Sequence, residues 1–552
     1  MLSGYTPWSE ESARRYRAKG YWENIGIAEM VKRTIGRYPE KVALVAGNQR
    51  ITYRQLGETV ERLACRLVEA GLRQHDRVVL QLPNIPEFVY AYLALTRIGA
   101  IPVMALRAHR ETEVRHFIDA SGAVAYVIQD VVNRFDYRPM AQTLLAECPS
   151  LKSVLVVGEP AEGQHSLSHM IEEELSPERI STTVQRIHVD PADVATMLLS
   201  GGTTSLSKLI PRSHDDYILN ARLCGQAAGF DENTVFMAIL PLGHNYNLAS
   251  PGILGVFYHG GTVVLASSGD ADEVFELVER ERVSVIASVV PLISNWLNSD
   301  APEKYDLTSL KVVQNGGARL APELRKRVLQ RLKCFPQEIY GTAEGLINMT
   351  RIDDPERAVL ESSGAPVCED DELKVLDEFG DEVPDGMPGE LATRGPYTIR
   401  SYFNAPEVNR TAFTADGFYL MGDIVRKEGR YVFAEGRKKD FINRGGEKIS
   451  CEEIENLILQ HPKVFQVSLV AMPDEIFGEK ACAFVRTKSG VPLAFDELID
   501  FLRAKKIASF KLPERLEVVA AFPVSPVGKI LKRELRETIA AKVAAENASS
   551  VD

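Results

Sequence analysis

The chain reads as an α/β protein: a large N-terminal domain of mixed sheets flanked by helices, followed by a small α+β domain. Three observations carry that expectation. Short apolar runs alternate with amphipathic helical patterns along most of the sequence, which is how strands covered by helices look. Near residue 437 the texture changes to a dense charged stretch with a glycine pair, GRKKDFINRGGEK, and a new pattern begins. The length, 552 residues, suits three or four domains at about 150 residues each, or two if one is large.

The elements follow in order. VALVAGNQRITY, from residue 42, is two apolar runs around Gly47-Asn48, a hairpin signal. Thr52 can cap a helix in which Leu56, Val60, Leu63 and Leu67 recur at helical spacing, and Gly71 suits a left-handed stop near Ala70. The strand DRVVLQL comes next, then a helix from Glu87 to about Ile98, closed by Gly99, and the apolar run 101–105. Further Val/Ile/Leu runs at 123–128, 154–157, 195–199, 262–266, 283–288 and 311–314 read as strands buried on both faces. Residues 159–191 are more polar and read as a surface excursion. After the charged stretch come a helix (452–460), two strands (465–471, 481–487) and a helix (496–505). The expected division is 1–437 for the large domain, 438–440 for a boundary, and 441–552 for the small domain.

Composition narrows the function classes. Hydrophobic residues are 45% and charged residues 25%, the balance of a chain able to build several buried cores. Sixty-four Lys plus Arg against 76 Asp plus Glu leave a net charge of −12, so no global positive field gathers a nucleic acid, and any anion must be bound locally. Seven scattered cysteines without a CxxC pair argue against a disulfide framework or zinc site and for a reducing cytoplasm. The charged N-terminal stretch and the absence of any 18-residue apolar run argue against a secretory signal and a membrane span.

The strongest local motif is Leu198-Leu199-Ser200-Gly201-Gly202-Thr203-Thr204-Ser205-Leu206-Ser207-Lys208, directly after an apolar strand. Glycines allow close backbone approach, and successive N–H groups, hydroxyls and a lysine offer donors to phosphate oxygens. On composition alone it can equally be a flexible polar loop. It is not a Walker A loop: counting from Gly202, the second glycine is replaced by Ser207, and Lys208 is followed by Leu209.

SGGTTSLSKLIPRSH resembles the phosphate loop of the adenylate-forming superfamily of acyl-CoA synthetases, luciferases and adenylation domains. Five further motifs stand in that superfamily's order: Asn315-Gly316-Gly317-Ala318; Tyr340-Gly341-Thr342-Ala343-Glu344; Tyr419-Leu420-Met421-Gly422-Asp423; Gly436-Arg437-Lys438-Lys439-Asp440 with Gly445-Gly446-Glu447-Lys448; and Pro526-Val527-Gly528-Lys529. The resemblance implies attack of a carboxylate on the α-phosphorus of ATP, giving an acyl-adenylate and pyrophosphate. It further implies that Ser200, Gly201, Gly202, Thr203, Thr204 and Lys208 cradle phosphate, and that Thr342 touches the α-phosphate. Glu344 would hold Mg²⁺, a hard cation that prefers oxygen ligands, Asp423 would hold the ribose, and Arg437 would be a second ribose or phosphate contact. Gly316, Gly317, Ala318, Tyr340 and Gly341 would line the nucleotide, and Lys529 would bridge carboxylate and α-phosphate. Lys439 would be the hinge of a mobile small domain, and Lys448 would serve a second half-reaction in which a thiol displaces AMP.

Leu242-Gly243-His244-Asn245-Tyr246-Asn247-Leu248-Ala249-Ser250-Pro251-Gly252 resembles the substrate segment of stand-alone ligases that activate 2,3-dihydroxybenzoate for catechol siderophores. By that resemblance His244, Asn245, Tyr246, Ser250, Ile339 and Ile347 line an aryl-acid pocket. Asn245 would bind the 2-hydroxyl or carboxylate, Tyr246 would wall the ring and Ser250 would face the 3-hydroxyl. The implied acceptor is the phosphopantetheine thiol of a separate aryl carrier protein. Salicylate, coenzyme A as acceptor, and a non-catalytic adenylate-binding relative are the alternatives. One departure stands out: Ser205 occupies a position where relatives most often carry glycine, and a positive φ there would cost about 1 kcal/mol.

Overall fold

The structure, a computed structural model, describes residues 2–200, 207–445, 447–488, 491–525 and 529–549. Two sheets dominate the large domain. The first has nine strands in the order Ala365–Pro366, Gly345–Met349, Phe335–Thr342, Val312–Gly316, Val285–Ser288, Val235–Ala238, Thr262–Leu265, Val42–Ala46 and Gln49–Thr52. The second has seven: Leu209–Ser213, Val194–Leu199, Ile101–Met104, Arg77–Gln81, Ala125–Gln129, Ser153–Val157 and His165–Ser166. Their central strands are parallel and their edges include antiparallel pairs, so the sheets are mixed as expected.

Strand alternation builds the layers. Leu44, Phe236, Val263 and Val285 of the first sheet share one core with Val78, Leu80, Ala125 and Val127 of the second. Helices Tyr53–Glu69, Pro86–Arg97, His214–Ala227 and Gly252–His259 fill the space between. The opposite faces, carrying Val45, Met237, Val264 and Ile286 on one sheet and Val79, Val103, Tyr126 and Ile128 on the other, pack under outer helices. Burial on both faces is why these strands show as unbroken apolar runs. Helix Tyr53–Glu69 starts where expected: Thr52 accepts from the Gln55 N–H, and the Gln55 side chain returns the bond, a capping box.

Two regions differ from the sequence reading. The polar stretch 159–191 contains helices Leu167–Glu172 and Pro177–Val184, anchored by the fully buried Leu167 and Val184. A single fully buried residue in each short helix is too sparse a pattern to show as periodicity. A third, antiparallel sheet (Glu372–Leu376, Pro388–Arg394, Tyr419–Glu428, Tyr431–Arg437) has no counterpart in the apolar-run reading. Its strand Tyr419–Glu428 alternates buried and half-buried residues, so no continuous apolar run marks it.

The C-terminal sheet runs Glu447–Ser450, Phe441–Arg444, Gly478–Thr487, Val464–Asp474, with Arg515–Val518 also pairing Gly478–Thr487. Helices Cys451–Ile458 and Phe495–Ala504 cover one face through Ile454, Ile458, Leu498 and Leu502. Helix Lys532–Ser549 covers the other through Leu535 and Ile539. The charged stretch is a short turn, Lys438–Asp440, and then a hairpin held by the fully buried Ile442 and Ile449. Across the turn, the Ser450 hydroxyl donates to the Glu435 carbonyl at 2.7 Å, and Arg319 pairs with Glu452 at 3.2 Å. Among the described residues no helix is long and apolar enough to cross a membrane.

Candidate active site

The site lies at the carboxyl ends of neighbouring parallel strands of the first sheet, where the backbone leaves the sheet and opens a crevice. Strand Val235–Ala238 leads to the segment 240–252, strand Val312–Gly316 ends in the glycine pair, and strand Phe335–Thr342 ends in Tyr340, Thr342 and Glu344. Gly317 has a φ of 85°, a left-handed conformation that favours glycine. A Cβ on Gly317 would sit 3.0 Å from Lys529 Cε, so the late lysine lies directly over this turn. A Cβ on Gly316 would come within 2.9 Å of the Tyr246 ring. The absent side chains thus make room for Lys529 on one side and Tyr246 on the other.

Lys529 is half-buried and stands within electrostatic reach of Arg437, Asp423 and Glu344. Desolvation, reinforced by Arg437, lowers its pKa against the pull of the two carboxylates. It also lies beside His244, whose pKa burial and this neighbouring charge depress to about 4; the imidazole is neutral at pH 7. The His244 Nδ1 accepts from the Tyr246 N–H at 3.3 Å, capping the short helix Asn245–Ala249.

Asp423 and Arg437 face each other across the antiparallel pair Tyr419–Glu428 and Tyr431–Arg437. Arg437 Nε lies 2.8 Å from Asp423 Oδ1, and the Tyr340 hydroxyl donates to Oδ2 at 2.9 Å. Burial raises the Asp423 pKa while Arg437 draws it down. A carboxylate offers about four acceptor positions, so both oxygens keep capacity for further donors. Glu344 is buried, and Tyr402 donates to its Oε1 at 2.7 Å, with Tyr419 3.1 Å from the Tyr402 hydroxyl. Tyr402 also stacks under Lys208, whose Nζ is 5.3 Å from the ring centroid. The Thr342 hydroxyl donates to the Gly345 carbonyl at 3.2 Å.

In the segment 240–252, Asn245, Tyr246 and Ser250 are all buried, and Asn245 Nδ2 donates to Ser250 Oγ at 3.2 Å. Ile339 and Ile347 are buried on adjacent strands, and Ile347 N donates to the Tyr397 hydroxyl at 3.2 Å. Ala318 and Gly341 are exposed. The Ser200 hydroxyl accepts from Lys208 N at 2.9 Å. Gly201, Gly202, Thr203, Thr204 and Ser205 lie outside the described residues, as do the side chains of Lys439 and Lys448.

Sequence reasoning missed Arg212. It is fully buried, bonds Asp216 at 2.8 Å, and donates to the carbonyls of Ala343 at 2.8 Å and Tyr397 at 3.1 Å, tying strand Leu209–Ser213 to the Thr342–Glu344 turn. Its signal was present: an arginine inside an apolar strand with an aspartate four residues on, since a buried charge requires partners. Tyr217, Asn220 and Tyr402 were also missed, because single polar residues in helices and loops carry no pattern.

Residues 31–403 match the family described as AMP-binding enzyme, and residues 453–529 match the AMP-binding enzyme C-terminal domain. The chain belongs to the AMP-binding enzyme family. Within that family it is 44% identical over 547 residues to the 2,3-dihydroxybenzoate-AMP ligase of Bacillus subtilis (strain 168), covering 99% of both chains. It is 42% identical over 546 residues to a salicylyl-CoA synthase / salicylate adenylyltransferase of a Streptomyces species, covering 98% of both. Among solved structures, apo MbtA of Mycobacterium smegmatis matches with a TM-score of 0.75 and 37% identity, covering 97% of this chain and 99% of that one.

Proposed function

We propose that this chain is an ATP-dependent aryl-acid ligase that converts 2,3-dihydroxybenzoate to its adenylate. It then passes the acyl group to the phosphopantetheine thiol of a separate aryl carrier protein, in the cytoplasm, as a step of catechol siderophore synthesis. The observation that carries the reading is Lys529 lying over Gly317, beside His244 and within reach of Asp423, Arg437 and Glu344. A lysine from the C-terminal segment and His244 of the segment 240–252 lie beside each other, and the 44% identical relative bears the matching name.

The first step joins the substrate carboxylate oxygen to the α-phosphorus and breaks the bond to the β-phosphate, releasing pyrophosphate. Two anions must approach, so positioning and charge stabilisation dominate the barrier. On this reading the Lys529 ammonium stands between carboxylate and α-phosphate, a point charge on a flexible stem. Asp423, held by Tyr340 and Arg437, accepts from the ribose hydroxyls with its remaining lone pairs. Thr342 donates to the α-phosphate, and Ser200 to Lys208 bracket the outer phosphates. Glu344 fits a magnesium ion: it is buried, and its hydrogen-bonding neighbours among the described residues are tyrosine hydroxyls. When bound there, Mg²⁺ supplies charge neutralisation to phosphate oxygens. In the second step the thiol sulfur bonds to the acyl carbon as the bond to AMP breaks; on this reading Lys439 serves as the hinge and Lys448 acts in this step.

The test is ATP–pyrophosphate exchange against a panel of benzoate, salicylate and 2,3-dihydroxybenzoate, followed by transfer to carrier protein or coenzyme A. Exchange strongest with 2,3-dihydroxybenzoate, lost in Lys529→Ala and kept in Lys448→Ala, is expected. Exchange strongest with salicylate would establish the alternative borne by the Streptomyces relative's name. Nucleotide binding without exchange for any hydroxybenzoate would overturn the enzyme reading.

A further inference from the structure

A serine hydroxyl rotates, so whether it reads a ligand as donor or acceptor is decided by its neighbours. Ser250 is 2% exposed, and its Oγ accepts from Asn220 Nδ2 at 3.1 Å and from Asn245 Nδ2 at 3.2 Å. The Asn220 amide is oriented by a group that can only accept, and the Asn245 amide by the proton of a fully buried phenol. Asn220 Nδ2 also donates to the Ala249 carbonyl at 2.6 Å, which can only accept. Asn245 Oδ1 accepts from the Tyr217 hydroxyl at 2.8 Å; were that amide turned over, the phenolic proton would lose this acceptor. Both lone pairs of the serine oxygen are thereby engaged, and its proton meets no acceptor among the described residues. Asn220 is itself fully buried, with Oδ1 unpartnered among the described residues, so its amide is held for what its nitrogen does. Tyr217 and Asn220 lie three residues apart on helix His214–Ala227, on one face of it.

We infer that Tyr217 and Asn220 are positioning residues that commit Ser250 to donate, and that they set the preference for a ring hydroxyl at the 3-position. The inference rests on the aryl-acid reading above. A 3-hydroxyl oxygen supplies the acceptor that the buried serine proton lacks. Salicylate presents a hydrogen there and leaves the proton unmet. A site built to bond a hydroxyl rejects the analogue without it more strongly than shape alone can, because the loss leaves a buried polar group unpaired.

The experiment compares kcat/KM in ATP–pyrophosphate exchange for 2,3-dihydroxybenzoate and salicylate, in the full-length wild type, Asn220→Leu and Tyr217→Phe. Asn220→Leu removes one donor to Ser250. Tyr217→Phe lets the Asn245 amide turn and present its oxygen to the serine, while keeping the ring that Arg212 stacks on at 4.9 Å. The expected result is a fall of about tenfold in the ratio of the two kcat/KM values in each variant, carried by 2,3-dihydroxybenzoate. A purely structural role would lower both substrates together, and an unchanged ratio overturns the inference; so does wild-type preference for salicylate. If Asn220→Leu fails to fold, the single-hydroxyl deletion in Tyr217→Phe decides alone. Absence of exchange with every hydroxybenzoate in the wild type refutes the aryl-acid reading itself, whereas wild-type exchange with an unmoved ratio refutes only this inference.

Discussion

Gly316→Ala offers the sharpest test of the pocket wall. A Cβ at this position would lie 2.9 Å from Tyr246 Cε1 and 3.0 Å from Cζ. That is about 0.5–1 Å inside the ~3.5–4.0 Å optimum for carbon pairs. Tyr246 is only 6% exposed, so the ring cannot swing into solvent and must shift within its packing. Overpacking of this kind costs about 1–3 kcal/mol. If the strain is relieved by moving the ring into the space of the aromatic substrate, binding of the acid weakens by roughly 5- to 150-fold, at about 1.4 kcal/mol per tenfold. The assay is pyrophosphate exchange with the aryl acid varied at saturating ATP, and thermal unfolding of the same variant. The KM for the acid should rise by that factor with little change in kcat, and the melting temperature should fall by a few degrees at most. An unchanged KM, or a rise confined to ATP, would show that Tyr246 does not wall the acid.

Other expectations follow from the same geometry. The depressed pKa of Lys529 means that the free enzyme loses its ammonium at a lower pH than an ordinary lysine; kcat/KM for ATP should therefore decline on the alkaline side below pH ~10.4, and Lys529→Arg should move that decline upward. Identical pH profiles for the two proteins would remove Lys529 from this role. Glu452→Gln, which breaks the ion pair to Arg319, should slow exchange about fivefold, since a charged hydrogen bond contributes roughly 1.5 kcal/mol or less when half-exposed; equal rates would show that the pair does not hold the small domain over the site. Asp371 hydrogen-bonds Tyr397, and burial raises its pKa to about 8. Because the folded value exceeds the unfolded one, the stabilisation is complete below about pH 4 and is lost as pH rises towards 8. Asp371→Asn should flatten that slope in melting temperature, and parallel curves for variant and wild type would contradict the assignment.

Much of this was legible in sequence because it depends on residues close together along the chain. The capping box at Thr52 and Gln55 involves neighbours three apart, and the parallel strands announce themselves as apolar runs because both faces are covered. The glycine pair at Gly316-Gly317 and the turn to Glu344 stand at strand ends, where an α/β sheet places its ligands. Half-buried strands such as Tyr419–Glu428, and short helices such as Pro177–Val184, left weaker marks because only alternate or occasional residues meet the core.

The sequence by itself determined which chemical groups are present and which short segments could hold phosphate, metal or an aromatic acid. Only the tertiary structure decided their meeting. Lys529 over Gly317 joins positions more than two hundred residues apart in the chain, Arg212 ties a strand of the second sheet to the turn that follows a strand of the first, and Ser250 Oγ meets the Asn220 amide of a helix that ends well before it. The physical reason is that a hydrogen bond or ion pair needs its partners within about 3 Å, and for residues distant in sequence that distance is set by how sheets and helices pack, not by local propensity.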